Sequence, residues 1–425
     1  MDTRDDEVVF RDAVKSIIEV IKKSEKTQNY FYLTPKINLI KRVWYLELQS
    51  KTRYPHLYEF KDELMKLEPV RKCVSLMLER NFPKHLEMKI VDKDGKPVEN
   101  PNYEPFLIAE ILGTLTDSYL ERYGFKFEEE KFKELYDEMT KYVYSPYREL
   151  VIVAPLENFE LKNMERKELR IGEYKVRKLT EWEMTALLNF GYKLGLIFAP
   201  EHGNIETFYC VERTIKTPKS STPALQPYLE DFMTILRLFK AGIIGTGALL
   251  HYPKIWKTSW EASFSHEGPY RGFPKYTLEQ VEVQPLTNLL EKFSRVKHQF
   301  PENIKFSLRW FNKSYNEREI LDKLLDLAIA LEVLFGRGDR LDLYVPAFIG
   351  SSKEEKLKIS EDLERLQNIR GAIVHSGSYK KGVTQEYVNS IENYYRWSMC
   401  KFLDMLLKSS YESILRNLKA SFLNK

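Results

Sequence analysis

The stretch Ile320-Leu321-Asp322-Lys323-Leu324-Leu325-Asp326-Leu327-Ala328-Ile329-Ala330-Leu331-Glu332-Val333-Leu334-Phe335 decides the character of the C-terminal third. Leu321, Leu324, Leu325, Ala328, Leu331 and Phe335 recur at three- and four-residue intervals, the period of one helix face. From residue 303 onward the pattern stays helical. Ser360 is placed to cap a helix whose Leu363, Leu366, Ile369 and Ile373 share one stripe. Thr384 is placed to cap a last helix with Val388, Ile391, Tyr395, Met399, Leu403 and Leu406 turned inward. The expectation is an all-α bundle of four or so helices over 300–425.

Upstream, the apolar spacing over 8–24 predicts a first helix, and 57–80 and 105–143 read as helical. Tyr30–Leu33 and Val43–Leu46 fit strand or helix equally well. Asp92 to Pro97 carries turn chemistry. The pattern changes after 140. Leu150–Pro155 is a strand candidate, followed by Phe159–Leu161 and a hairpin around Gly172. Thr180 with Glu183 forms a capping box, Ile205–Ile215 alternates as a strand, and Tyr228–Lys240 is an amphipathic helix ending before Gly242. Residues 245–285 show no clear period. The fold class expected is therefore α+β: a mainly helical region over 1–140, an α+β region over 141–299, and the helical bundle.

Composition narrows the functional classes. With 43% hydrophobic and 30% charged residues, the chain can bury a sizeable core. No apolar run is long enough for a membrane span, and the acidic start lacks a signal core, so a cytoplasmic protein without membrane contact is expected. Cys73, Cys210 and Cys400 are few and scattered, which fits reduced thiols. A net charge of +4, with both signs interleaved, excludes a broad cationic face for duplex nucleic acid but leaves room for a local basic cleft.

The chemistry-bearing segment is Leu366-Gln367-Asn368-Ile369-Arg370-Gly371-Ala372-Ile373-Val374-His375-Ser376-Gly377. A histidine moves protons near neutral pH, and an arginine offers a phosphate a fixed fork of donors. Both residue types also serve simply to complement a helix C-terminus. In a continuous helix, five residues leave Arg370 and His375 about 140° apart. Gly371, four before His375, leaves that face open, and Gly377 suits the C-cap. Gly336-Arg337-Gly338-Asp339-Arg340 lacks a P-loop lysine and reads as a turn. His202, His251 and His266 match no ligand spacing. Tyr394, Tyr395, Arg396, Trp397 and Lys401 could stack bases, although helix packing explains most of them.

Three ordered segments resemble the HEPN superfamily, and within it the Apea-like HEPN domains: Arg309-Trp310-Phe311-Asn312-Lys313-Ser314-Tyr315, then Asp322 to Phe335, then Arg370 to Gly377. The resemblance covers roughly the last 120 residues. It implies a dimeric, metal-independent endoribonuclease without cofactor, of the kind found among antiphage-defence and toxin effectors, with Arg370 and His375 catalytic. Glu332, Asp326, Gly371 and Ser376 stand as supporting candidates. Glu332 either holds Arg370 or His375 or is an exposed helix residue. Asp322 and Asp326, four apart, read as surface residues. Tyr379, Lys380 and Lys381 form the local patch for RNA. Residues 1–299 would then receive a regulatory ligand or protein. Many HEPN ribonucleases carry a polar residue directly after the arginine, where this chain has Gly371. A catalytically silent scaffold that binds RNA, nucleotide or protein is the alternative.

Overall fold

The computed structural model describes residues 3–23, 28–38, 43–53, 61–79, 111–162, 168–180, 183–184, 186–187, 209–218, 224–254, 261–264, 275–317, 319–336, 340–376, 379 and 382–423. The turn at Asp92–Pro97, His202, His266, Gly377, Lys380 and Lys381 lie outside these, as does the side chain of Ser376.

The N-terminal unit is a helical cluster with its own core. Helix α1 (Thr3–Lys23) packs with α3 (Glu68–Glu79), α4 (Gly113–Tyr123) and α5 (Glu129–Tyr144), the short α2 (Lys61–Leu64) preceding α3. Phe10, Val14, Ile17, Cys73, Leu115, Tyr119, Phe132 and Met139 are buried together. The helix expected over 105–143 is two helices. Gly124, at φ 71°, closes α4, and Tyr119 fastens the reversal by donating to Lys126 O (2.9 Å) and accepting from Glu128 N (2.7 Å). The two ambiguous aromatic runs pair as an antiparallel hairpin, β1 (Gln28–Asn38) with β2 (Val43–Arg53).

The middle of the chain builds an antiparallel six-stranded sheet in the order β5-β6-β7-β3-β8-β9. Its strands are β3 (Tyr147–Pro155), β5 (Glu168–Ile171), β6 (Tyr174–Lys178), β7 (Tyr209–Pro218), β8 (Ala248–Pro253) and β9 (Glu261–Phe264). Strand alternation explains why β3 reads as a continuous apolar run. Leu150, Ile152 and Ala154 enter the main core, whereas Val151 and Val153 join a smaller one with Ala186, Leu187, Cys210 and Tyr252. The hairpin at Gly172 forms as expected, with that glycine at φ 60°. So does the capping box: Glu183 N donates to Thr180 Oγ1 (3.2 Å) and Thr180 N to the Glu183 carboxylate (2.8 Å). Residues 245–285 hold three strands that the periodicity did not reveal. The third, β10 (Tyr276–Glu279), pairs in parallel with β4 (Phe159–Lys162).

Helix α6 (Pro227–Phe239) packs on the sheet, with Phe232 against the Tyr174 ring and Tyr228 O accepting from Tyr174 and Arg213, and every described element from α7 onward is helical. These are α7 (Val283–Val296), α8 (Glu302–Ser314), α9 (Ile320–Phe335), α10 (Leu341–Ile349), α11 (Lys353–Ser376), α12 (Gln385–Leu406) and α13 (Tyr411–Leu423), with short 3₁₀ turns flanking α7. Helices α10 and α13 carry no separate signal in the apolar spacing. One hydrophobic core runs from the sheet through α6 and α7 into α8, α9 and α12. Position 300 is therefore not a break in packing, whereas the cluster within 1–144 is separate.

A buried polar joint crosses that position. Arg396 Nε donates to Arg237 O (2.7 Å) at the end of α6, and Arg396 also bonds Glu392 and the Tyr315 hydroxyl. Lys323 reaches Glu392 at 3.0 Å, and Tyr315 donates to the same carboxylate. Arg237 lies over the Tyr315 ring and donates to Asn312 Oδ1 (3.1 Å). Burial drives the Glu392 carboxyl up, but Arg396 and Lys323 more than offset this and hold it below its ordinary value. Arg396, Tyr394 and Tyr395 are thus interior groups, not base-stacking surface. Tyr395 stacks on Phe311 at 4.3 Å and shares a hydrogen bond with Ser307 (2.8 Å). Only Trp397 of that aromatic group is well exposed.

Of the two caps expected in the bundle, one is corrected and one forms. Ser360 is not an N-cap, because α11 begins at Lys353, where Ser352 Oγ accepts from Glu355 N (3.1 Å). Ser360 sits inside the helix and donates to Asp342 O (2.8 Å) of α10. Thr384 does cap α12, accepting from Tyr387 N (3.3 Å).

Candidate active site

The position of Arg370 follows from what α11 must bury. Ile359, Leu363, Leu366 and Ile369 are almost fully enclosed and turn one stripe of the helix onto the bundle. Arg370, one residue further round, comes out at the edge of that stripe and meets Glu332 from the last turn of α9. Its Nε lies 3.0 Å from Glu332 Oε1, with side-chain exposures of 39% and 23%. The N–H points off the carboxylate, so the contact is an ion pair and not an aligned hydrogen bond. Glu332 is therefore paired with Arg370 rather than being an unengaged surface residue.

His375 is exposed in the last turn of α11. The helix is continuous through both residues, so the offset of about 140° stands, with about 7.5 Å of rise between them. A Cβ added at Gly371 would meet nothing within 4 Å, which leaves open space one turn before the imidazole. The free carbonyls of a helix C-terminus disfavour an anion. Positive charge for a phosphate here would come from the Arg370 guanidinium, whose charge Glu332 offsets only in part because both groups remain open to water.

The other sequence candidates separate. Asp326 is 2% exposed and not a surface residue; Lys313 of α8 reaches both its carboxylate oxygens, at 2.9 and 3.0 Å. Burial holds its carboxyl above the ordinary value against the pull of Lys313. Six residues along α9 turn through about 240°, so Asp326 faces α8 while Glu332 faces α11. The Asp326 carboxylate is engaged by Lys313, away from the Arg370–Glu332 pair. Asp322 is exposed, as expected. Tyr379 is half-buried against the core, and the chain beyond it returns along α11, where Arg365 donates to Gly382 O (3.3 Å).

No family model, curated protein or solved structure matches this chain. Elsewhere, His251 lies on β8, and among the described residues no cluster of His, Cys, Asp and Glu is arranged to hold a metal ion. Cys73 and Cys210 are buried free thiols, and burial pushes the Cys400 thiol up to about 11. Among the described residues no helix is long and apolar enough to cross a membrane.

Sequence reasoning missed the Lys313–Asp326 pair and the Glu392–Arg396–Lys323 cluster. The second left a trace: Glu392 and Arg396 stand four apart on a helix whose other faces are largely apolar.

Proposed function

We propose that this chain is an endoribonuclease of the HEPN type, cutting RNA without a metal ion at a site formed by Arg370 and His375. The observation that carries the proposal is the anchored arginine. Glu332 pairs with Arg370 five residues before an exposed histidine and next to an uncluttered glycine, at the end of a helix whose sequence resembles the HEPN motif. His375 takes the proton from a ribose 2′-OH as that oxygen attacks the adjacent phosphorus. The bond from phosphorus to the 5′ oxygen breaks, and that oxygen leaves as a hydroxyl by taking a proton from an imidazolium at the site or from water. Arg370 offsets the charge that develops on the phosphate oxygens. The products are a 2′,3′-cyclic phosphate and a 5′-OH, and DNA is spared.

The 140° offset within one helix favours a dimer in which the histidine of one copy works with the arginine of the other. The α+β unit shares its core with the bundle, which suits a sensing region that controls the nuclease in an antiphage or toxin-like effector of the cytoplasm. The test is incubation of labelled RNA and of its DNA counterpart with wild type, Arg370→Ala and His375→Ala in EDTA. RNA cleavage by wild type alone is the expected result; equal cleavage by His375→Ala removes the proposal. One feature favours a second reading, a silent RNA-binding scaffold: Gly371 offers no polar group beside Arg370. Binding by wild type without any cleavage would select it.

A further inference from the structure

With Tyr394 and Tyr395 in the core, Trp397 alone of that group stays on the surface, and a second aromatic stripe lies on α8. Phe306, Arg309, Trp310 and Lys313 occupy positions i, i+3, i+4 and i+7 of α8, hence one stripe about 10 Å long. Phe306 and Trp310 are half-buried and meet edge to face at 5.9 Å. A cation lies over each ring: Arg309 is 5.9 Å from the centre of Phe306, and Lys313 is 4.8 Å from that of Trp310. Lys313 is fixed there by Asp326 and by Glu317 at 3.0 Å. Arg309 is exposed and makes no ion pair among the described residues, although its charge acts on Glu302 earlier on the helix. The Trp310 indole N–H is enclosed yet has no hydrogen-bond acceptor among the described residues.

The stripe borders an open groove of about 440 Å³, lined by Glu302, Asn303 and Phe306 of α8 and by Val333 of α9. Val333 is the chain neighbour of Glu332, the residue that holds Arg370, so the groove lies at the same end of α9 as the candidate site.

We propose that this face of α8 is a stacking track for unpaired RNA bases entering the Arg370–His375 site. The inference rests on the nuclease reading for its destination but has its own readout. Unpaired bases offer flat π-faces to Phe306, the ring that lines the groove, and their phosphates suit Arg309. Duplex RNA hides those faces, so the ligand is single-stranded. A second copy of the chain is the competing occupant, and the test separates the two.

Binding of a fluorescein-labelled, unstructured RNA 12-mer is measured by anisotropy on full-length His375→Ala protein, which does not consume the probe. Adding Phe306→Ala or Phe306→Leu weakens binding roughly five- to hundredfold, the range of one lost base stack. The leucine variant shows that the π-face matters and not merely apolar volume. Arg309→Gln weakens binding and flattens its salt dependence. Melting curves and sedimentation on each variant control for fold and assembly. Unchanged affinity in a folded Phe306→Ala protein overturns the track, as does an absence of RNA binding by the parent. Loss of a dimer in Phe306→Ala assigns the face to a second copy and overturns it too. If instead RNA binds through Phe306 but wild type never cleaves it, the track stands and the nuclease reading fails.

Discussion

Replacing Glu332 by Gln tests whether the ion pair at the end of α9 serves stability or position. At 3.0 Å, two unit charges attract by about 1.4 kcal/mol in water and about 5.5 kcal/mol at an effective dielectric of 20. Both side chains are open to solvent, however, and exposed pairs of this kind contribute only ~0.2–1 kcal/mol once screening and side-chain entropy are included. The melting temperature of Glu332→Gln should therefore fall by less than about 4 °C. The cost to turnover should be far larger. An arginine released from its tether loses its aim, and misplacement by about 1 Å costs up to ~100-fold in rate. Binding moves the other way, since a carboxylate near the phosphate is removed. We expect kcat for RNA cleavage to drop at least tenfold while KM stays level or falls. The assay is a steady-state cleavage series in EDTA at low salt, with a circular dichroism melt on the same protein. A variant that cleaves within twofold of wild type, or one that melts more than about 8 °C lower, would refute the positioning role.

Three further outcomes follow from the same structure. Glu392→Leu strands Arg396 and Lys323 in the interior and should cost ~3–5 kcal/mol in urea unfolding, whereas Glu392→Leu with Arg396→Met should lose less than the two single changes summed. Because the Glu392 carboxyl is held below its ordinary value of 4.5, its stabilisation is complete above that pH and is lost as pH falls below it. Melts from pH 7 to pH 3 should show this loss in wild type and a flatter profile in Glu392→Gln. Gly371→Ala should raise stability by ~0.5–1 kcal/mol, since its methyl meets nothing within 4 Å, while the bulkier Gly371→Leu should keep the fold and lose cleavage by filling the space beside His375.

Local signals were legible where the physics is local. The Thr384 cap, the Thr180–Glu183 box, the Gly172 hairpin and the inward stripe of α12 each depend on residues within a turn or two of one another, and each forms. What escaped depends on partners far along the chain. Strand β10 pairs with β4 across more than a hundred residues, and no period in 245–285 announces it. Ser360 has the chemistry of a cap, but Asp342 O on α10 claims its hydroxyl. Asp326 looks like a surface acid until Lys313 of α8 is placed on it. At the candidate site, the Arg370–His375 spacing and the acid at 332 were visible from the motif, while the ion pair between helices 38 residues apart needed the fold.

The most direct test of the central claim is the chemistry of the ends that the protein leaves on RNA. Wild-type chain incubated with a defined RNA in EDTA should yield 2′,3′-cyclic phosphate and 5′-OH termini by mass spectrometry, none at a linkage whose ribose is 2′-deoxy, and none with His375→Ala. The same termini from His375→Ala protein of equal purity, or cleavage at the 2′-deoxy linkage, would contradict it.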